Sequence, residues 1–418
     1  MEVYKFGGAS VKDAAGIRNV GNIIRLNAEK DLLIVVSAMG KTTNALEALT
    51  ESYINGENST HSLFEEIRQY HHSVLAELFE DESHPAFDEI ENTFIEIEWM
   101  LEDDPHPGYD FNYDQIVSIG ELLSSRILSA WLNHVGFKNK WLDARGVIQT
   151  DNTYREGQVD WTKTCKAIEV MAPILKDQFI VTQGFIGGTS ENFSTTLGRE
   201  GSDYSAAIFA SCLNAEKLTI WKDVPGVLSA DPKLFSDTRK YSELPYSEAM
   251  EMTYYGATVI HPKTIKPLQN SGIPLLVKPF LNPEEEGTII NETAAVCKDF
   301  PAIIVKQHQV LASISTKELL FITEDHLSEI FKAFAMAHIK INLMQVSALS
   351  FTVCFDEEKE KFNALIVALN NSFKIKYNQD LQLITIRHYK PDTIDQLSSG
   401  KIVLMEQLSR NTAQLVLK

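Results

Sequence analysis

The chain has 418 residues, 44% of them hydrophobic and 23% charged, with a formal net charge of −19; that length predicts two or three domains with ample core. No apolar run approaches the roughly 18 residues of a membrane span, Glu2 and Lys5 interrupt what would be the apolar core of a signal peptide, and the acidic balance disfavours nucleic acid as a partner. Cys165, Cys212, Cys297 and Cys354 fall at no paired spacing, which predicts reduced thiols in a cytoplasmic protein, with neither a disulfide framework nor a zinc site.

Glu2 to Val11 predicts a strand entering a small-residue loop. Gly7 and Gly8 permit a tight turn and close approach to a ligand, and Ser10 before Lys12, Asp13 and Ala14 is a helix start. Loop N–H groups, a helix N-terminus and Lys5 outline a phosphate cradle, although the same pattern also serves a plain turn. Asp31 to Ser37 is a second strand, apolar on both faces as a buried parallel strand would be. Gly40-Lys41-Thr42 mimics the end of a P-loop, but the earlier glycine would fall at Val35, inside the strand, so a Walker-type site is rejected. What remains is a second ligand loop at the carboxyl end of a strand.

Residues 46 to 104 predict acidic helices with Leu63, Ile67, Tyr70, Val74 and Leu78 as one apolar stripe. His71 and His72 are expected to be solvated, since adjacent side chains diverge on a helix. Glu121 is expected to begin a helix after a tight glycine turn, either as a first-turn carboxylate or as a partner for a ligand ammonium. From Gly136 strands and helices alternate: Lys140–Leu142, a helix from Trp161 to Ala172, Phe179–Gln183, and a glycine-rich passage through Leu197-Gly-Arg-Glu-Gly-Ser-Asp203 into a helix from Tyr204 to Leu213. Lys217–Trp221 is a buried strand, His261-Pro-Lys263 precedes an amphipathic helix, and Pro274–Lys278 is expected to close the sheet.

After a linker containing Pro279, Pro283 and Glu284 to Glu286, the composition changes near residue 296, giving domains at 1–295 and 296–418. Strands at Val310–Ile314, Ile339–Val346, Phe351–Phe355 and Phe373–Tyr377, with helices at Leu327–Phe334 and Phe362–Leu369, make the ferredoxin-like βαββαβ order. Leu381–His388, a helix at Pro391–Leu397, Lys401–Gln407 and Thr412–Leu417 restart it and stop short of a final helix and strand.

Lys5-Phe-Gly-Gly-Ala-Ser, Ser118-Ile-Gly-Glu, Thr182-Gln-Gly-Phe-Ile-Gly, Leu197-Gly-Arg-Glu-Gly-Ser-Asp-Tyr-Ser, Asp223-Val-Pro-Gly and Gly256-Ala-x-x-Ile-His-Pro-Lys, in this order, resemble the aspartate kinases. The resemblance implies an α/β amino-acid kinase fold, an open and mostly parallel sheet between helices, followed by a C-terminal ferredoxin-like region of tandem ACT type. It implies transfer of the γ-phosphoryl group of ATP to the side-chain carboxylate of L-aspartate, with Mg²⁺ held mainly by the nucleotide phosphates and no protein metal site. Lys5 and Asp203 would be catalytic, Asp203 as organiser. Thr43, Glu121, Arg199 and Ser202 would hold the amino acid. Lys5, Gly7, Gly8, Ser10, Lys222, Asp223, Gly226, Leu228, Lys233 and Lys263 would contact the nucleotide.

The chemistry agrees with the residue types. An aspartate side chain, with a pKa near 3.9, is already ionised at neutral pH and needs no general base; the barrier lies in bringing two anions together, which calls for fixed cations. This sequence departs from the family at Ala9, Glu200, Lys222, Leu228 and Lys233, where threonine, glycine, threonine, tyrosine and arginine are usual; a non-glycine at a left-handed position costs on the order of 1 kcal/mol. In the ACT-like region Asp325, Ser328, Asn342 and Ser347 mark the places where an effector would sit. Lysine-sensing members carry acidic groups where Asn342 and Ala348 stand, so lysine is expected to inhibit little, while threonine stays open. A homodimer through residues 300–418 is expected, the truncated second copy completing its sheet against its partner. Two alternatives stand beside these readings: a non-catalytic or retargeted relative that senses an amino acid, and a C-terminal region that serves dimerisation alone.

Overall fold

A computed structural model describes residues 1–26, 31–257, 260–318 and 320–418. The chain divides into two compact units, one of residues 1–227, 240–250 and 259–296, the other of residues 228–239, 251–258 and 297–418.

The first unit runs β1 (Glu2–Phe6), α1 (Ala14–Arg25), β2 (Leu32–Val36), α2 (Thr42–Ile54), α3 (Thr60–Leu78), α4 (Pro85–Glu102), α5 (Tyr109–His134), β3 (Asn139–Leu142), α6 (Trp161–Met171), β4 (Phe179–Gln183), β5 (Ile186–Gly188), β6 (Ser194–Thr196), α7 (Gly201–Cys212), β7 (Lys217–Lys222) and β8 (Glu243–Pro245). It continues through the first half of α8 (Tyr246–Tyr254), whose residues from Glu251 on belong to the second unit, and through α9 (Pro262–Ser271), β9 (Leu275–Pro279) and β10 (Thr288–Asn291). Eight strands form one sheet in the order β3-β4-β2-β1-β7-β9-β10-β8. Pairing is parallel from β3 to β9, and β10 turns antiparallel to β9. Pro274–Lys278 therefore does not close the sheet, because β10 and β8 extend it.

β1 is wholly buried, charged residues included. Glu2 tolerates this because it lies opposite Lys217 of β7, 3.3 Å away. β2 is five consecutive buried aliphatic residues, as a central parallel strand requires. The small residues of α7 let that helix pack closely against β1, β2 and β7.

Four expectations change. Glu121 does not begin a helix: it sits in the middle of the 26-residue α5, and Gly120 before it makes no turn. A Cβ there would lie 2.9 Å from Leu46 Cδ1 and 3.1 Å from Thr42 Cγ2, so the glycine exists to let α2 approach α5. The buried stripe of α3 is centred on Phe64, Ile67, His71, Val74 and Leu78, rotated from the one expected. His71 is fully buried, its Nδ1 donating to the Ile67 carbonyl at 2.7 Å, and burial drives its pKa down to about 4, which keeps it neutral; His72 pairs with Glu91. Cys165 and Cys212 are joined in a disulfide, because the packing of α6 on α7 brings their Cα atoms to 4.9 Å across 47 residues of sequence. Cys297 and Cys354 are free.

The second unit contains β11 (Ala302–Thr316), α10 (Glu324–Met336), β12 (Ile341–Val346), β13 (Phe351–Asp356), α11 (Lys359–Leu369), β14 (Phe373–Arg387), α12 (Pro391–Ser398), β15 (Val403–Leu408) and β16 (Thr412–Leu417), in one six-stranded sheet ordered β12-β13-β11-β14-β16-β15. The strands expected separately at 373–377 and 381–388 are one strand. β11 and β14 pair along their length, with register shifts between Lys306 and Leu311, where His308 and Asp380 take left-handed φ of 51° and 53°, so bulges divide one sheet into two lobes. In the first lobe α10 and α11 cover a core of Val310, Ile330, Phe334, Phe351, Phe355 and Phe373. The sheet of the second lobe is not truncated: Ala302–Lys306 pairs antiparallel with Leu383–Arg387 and supplies its fourth strand from upstream.

Glycine to alanine inside a helix ordinarily stabilises by about 0.5–1 kcal/mol. Gly120→Ala should do the opposite, lowering stability by about 1–3 kcal/mol through overpacking, read as a lower urea midpoint; an unchanged or higher midpoint would show that α2 and α5 can part.

Candidate functional site

Because β1, β2, β4 and β7 run parallel and adjacent, their carboxyl ends open on one edge of the sheet, with Lys5 level with Val35 and Ile220. The loops leaving them meet the N-terminus of α7 and the middle of α5 around a cavity of about 340 Å³. Of the expected residues, Lys5, Gly8, Thr43, Glu121, Ser202, Asp203 and Lys222 line it. A Cβ on Gly8 would stand 2.5 Å from the Ala38 carbonyl oxygen, so only glycine lets the first loop close on the second.

The centre is an ion triad. Lys5 Nζ lies 2.6 Å from Asp203 Oδ1, and Lys222 Nζ lies 3.5 Å from Asp203 Oδ2. The side chains of Lys5 and Asp203 are 9% and 4% exposed. Burial alone would raise the Asp203 pKa, but the two ammoniums outweigh it and hold the carboxyl below its ordinary value. Asp203 is thus a fixed anion between two cations.

Glu121 is buried on the inward face of α5. It accepts the Ala38 N–H and feels the charge of Lys5, yet burial dominates and raises its pKa from 4.5 to about 8. Its Oε2 is buried with no hydrogen-bond partner. A carboxyl in that state is suited to a cation delivered by a ligand. One helical turn pair earlier, Asp114, pushed up to about 6 chiefly by burial, is structural: it accepts from Arg155 N–H, Thr196 N–H and Thr196 Oγ1.

Other expected residues stand elsewhere. Gly7 forms the turn itself, its carbonyl accepting from Ser10 and Val11 N–H, and Ser10 is buried behind it. Arg199 is exposed and does not line the cavity, and among the described residues no ion pair joins it to Glu200. Asp223 is exposed, and Gly226 packs its bare Cα against Thr288 of β10. Lys263, in the first turn of α9, reaches toward the Gly198 turn, where a Cβ would lie 3.6 Å from its Nζ. Leu228 and Lys233 belong to the second unit. There Asp325 and Ser328 lie in α10, Ser347 closes a turn with Ser350, and the Asn342 amide is committed to Gln309 and Asp356.

Phe185 and Glu200 line the cavity without an expected role, as do Ala9, Ser37, Ala38, Gly40 and Gly201. Phe185, at φ 69°, follows the glycine of the Thr182-Gln-Gly-Phe motif, which marked the loop but not this side chain. Glu200, at φ 53°, was visible only as a departure. Among the described residues there is no cluster of His, Cys, Asp and Glu able to hold a metal ion by itself, and no helix long and apolar enough to cross a membrane.

Comparison with known proteins places these features. A family model described as the amino acid kinase family matches residues 1–279. Lysine-sensitive aspartokinase 3 of Escherichia coli (strain K12) is 31% identical over 85% of this chain and 78% of its own. The chloroplastic aspartokinase 1 of Arabidopsis thaliana is 32% identical over 85% of this chain and 63% of its own. The crystal structure of E. coli aspartokinase III in complex with aspartate and ADP superposes with a TM-score of 0.84 at 26% identity, covering 100% of this chain and 96% of that one.

The raised Glu121 pKa makes a stability prediction. The folded state holds this proton up to about pH 8 while the unfolded chain releases it near 4.5, so folding loses stability as pH rises through that window and no further above it. Glu121→Gln, which cannot ionise, should gain stability over the unaltered chain progressively from pH 5 to 8 and level off by pH 9 in urea unfolding. A pH-independent difference would show that Glu121 is ionised in the free site.

Proposed function

The chain belongs to the amino acid kinase family and, within it, to the aspartokinases, transferring the γ-phosphoryl group of ATP to the side-chain carboxylate of L-aspartate to give 4-phospho-L-aspartate, and we propose that the Lys5–Asp203–Lys222 triad carries that transfer. The observation behind this reading is the buried 2.6 Å pair at the base of the cavity. Lys5 faces the transferring phosphoryl oxygens, where a fixed ammonium stabilises charge that moves toward the leaving group. Asp203 positions both lysines and abstracts no proton, since the acceptor carboxylate is already ionised. Gly7, Gly8 and Ser10 form the phosphate loop, and Lys222, Asp223, Gly226 and Lys263 complete the nucleotide contacts.

On the acceptor side Glu121 takes the α-ammonium, Arg199 closes on the α-carboxylate, and Thr43 and Ser202 hold the remainder. The Mg²⁺ that accompanies ATP would be held mainly by the phosphates and would neutralise their charge; of the carboxylates in the lining, Glu200 is the one that the assignments above leave to face it. The reaction opens lysine, threonine, methionine and diaminopimelate synthesis, and the cytoplasm, where ATP and aspartate occur together, is its compartment.

Residues 297–418 act as the regulatory and dimerising part. A homodimer through this region is supported by the two outer strands of the sheet, β12 and β15, which carry exposed Met344, Val346, Val403, Leu404 and Leu408. Lysine inhibits little, because the carboxylate that Asn342 touches, Asp356, already holds the chain's own Lys306 ammonium at 3.2 Å. Inhibition by sub-millimolar lysine, or a monomer in sedimentation, would overturn these two readings.

Trapping the acyl phosphate as a hydroxamate tests the reaction, and no product above background with active nucleotide present would refute it. Lys5→Ala should lower kcat by at least about a hundredfold, as loss of one preorganised donor does; a tenfold loss or less would make Lys5 peripheral. Arg199→Ala should raise the KM for aspartate far more than that for ATP. Pairing the substrate ammonium requires Glu121 to give up its proton, so aspartate affinity should rise up to about tenfold per pH unit below about pH 8 and level off above it, while ATP affinity stays flat; titrations in buffers of different ionisation enthalpy should register the proton released.

A further inference from the structure

Glu200 is the one cavity carboxylate that the proposed reaction leaves without a role. It is the residue before α7, in a left-handed conformation at φ 53° and ψ 29°, and its side chain does not cap the helix. A non-glycine there is strained, and its Oε2 is buried with no hydrogen-bond partner. Both features are disfavoured, and both sit where the phosphates are to bind.

The charges sharpen the point. The lining holds two ammoniums, Lys5 and Lys222, against three carboxylates, Glu121, Glu200 and Asp203. Asp203 is taken up by both lysines. Glu121, 3% exposed, lines the same cavity and has an unpartnered Oε2 of its own; it is reserved for the substrate ammonium. A triphosphate brought beside the bare Glu200 carboxylate would be repelled unless a cation stood between them. A small divalent ion satisfies that demand, since it takes a protein carboxylate together with phosphate oxygens and waters.

Resting on the kinase reading above, we propose that Glu200 is a protein ligand of the divalent cation that enters with the nucleotide. The cation then has one protein anchor in addition to the phosphates, so it is held in register with Lys5 and Lys222.

The test uses the full chain with ADP and Mn²⁺, free and bound Mn²⁺ being counted by electron paramagnetic resonance and ADP binding measured by calorimetry with and without metal. Glu200→Gln should weaken Mn²⁺ binding in the ADP complex by at least about tenfold, the low end of what even an outer-shell partner contributes, while metal-free ADP binding stays equal or tightens. Glu200→Gly, which also relieves the left-handed strain, should lose the same metal affinity while melting no lower than the unaltered chain. Unchanged Mn²⁺ affinity in the glutamine variant, or ADP tightening equally with and without metal, would overturn the proposal and make Glu200 a plain repulsive charge. Failure of the unaltered chain to bind ADP at all would overturn the kinase reading first, and this inference with it.

Discussion

Everything at the sheet's open edge depends on a carboxylate kept ionised out of water. Removing Asp203 and Lys5 from solvent costs several kcal/mol per ion, and their mutual attraction recovers this only with close geometry and further partners. The fold supplies both: α7 starts where the glycine-rich passage leaves the sheet, which puts Asp203 over β1, and parallel pairing of β1 with β7 brings Lys222 to the other carboxylate oxygen. Truncating either lysine would leave a buried charge short of a partner. The triad therefore links the stability of the sheet's centre to the charge that lines the cavity.

Much of this was legible in the chain because the site is built from short contiguous motifs at strand ends. Lys5, Gly8, Ser202 and Asp203 could be named from spacing and family likeness, and strand and helix bounds came within a few residues wherever apolar periodicity was strong. Features that rest on packing between distant segments were not legible. Gly120 looked like a turn because glycine marks turns more often than helix crossings; only the approach of Leu46 and Thr42 discloses its purpose. Cys165 and Cys212 carry no sequence signal for pairing across 47 residues. His71 was expected to be solvated with His72 because adjacent side chains diverge on a helix, yet that same divergence turns His71 into the buried face of α3 while His72 pairs with Glu91.

Glu200 and Asn342 show a second kind of information, carried by departures from a family pattern. At Glu200 a charge has been added where a glycine would have left space. At Lys306 the chain has placed its own ammonium against Asn342 and Asp356, so a polar cluster is satisfied internally. The first addition leaves an orphaned oxygen and the second leaves none, which is why only the first points to a missing partner.

The crossed arrangement of the C-terminal sheet bears on how the chain can fold as it is synthesised. The first lobe is an insertion between Ala302–Lys306 and the segment from Leu381 onward. Its strands and helices are contiguous, so it can assemble soon after it emerges from the ribosome. The second lobe cannot: its first strand is made early, waits while the whole inserted lobe is translated, and finds a partner only with Leu383–Arg387, which in turn needs Thr412–Leu417 on its far side. An unpaired strand edge stays open to other nascent chains through that interval, until Leu383–Arg387 pairs with it and Thr412–Leu417 covers the far side.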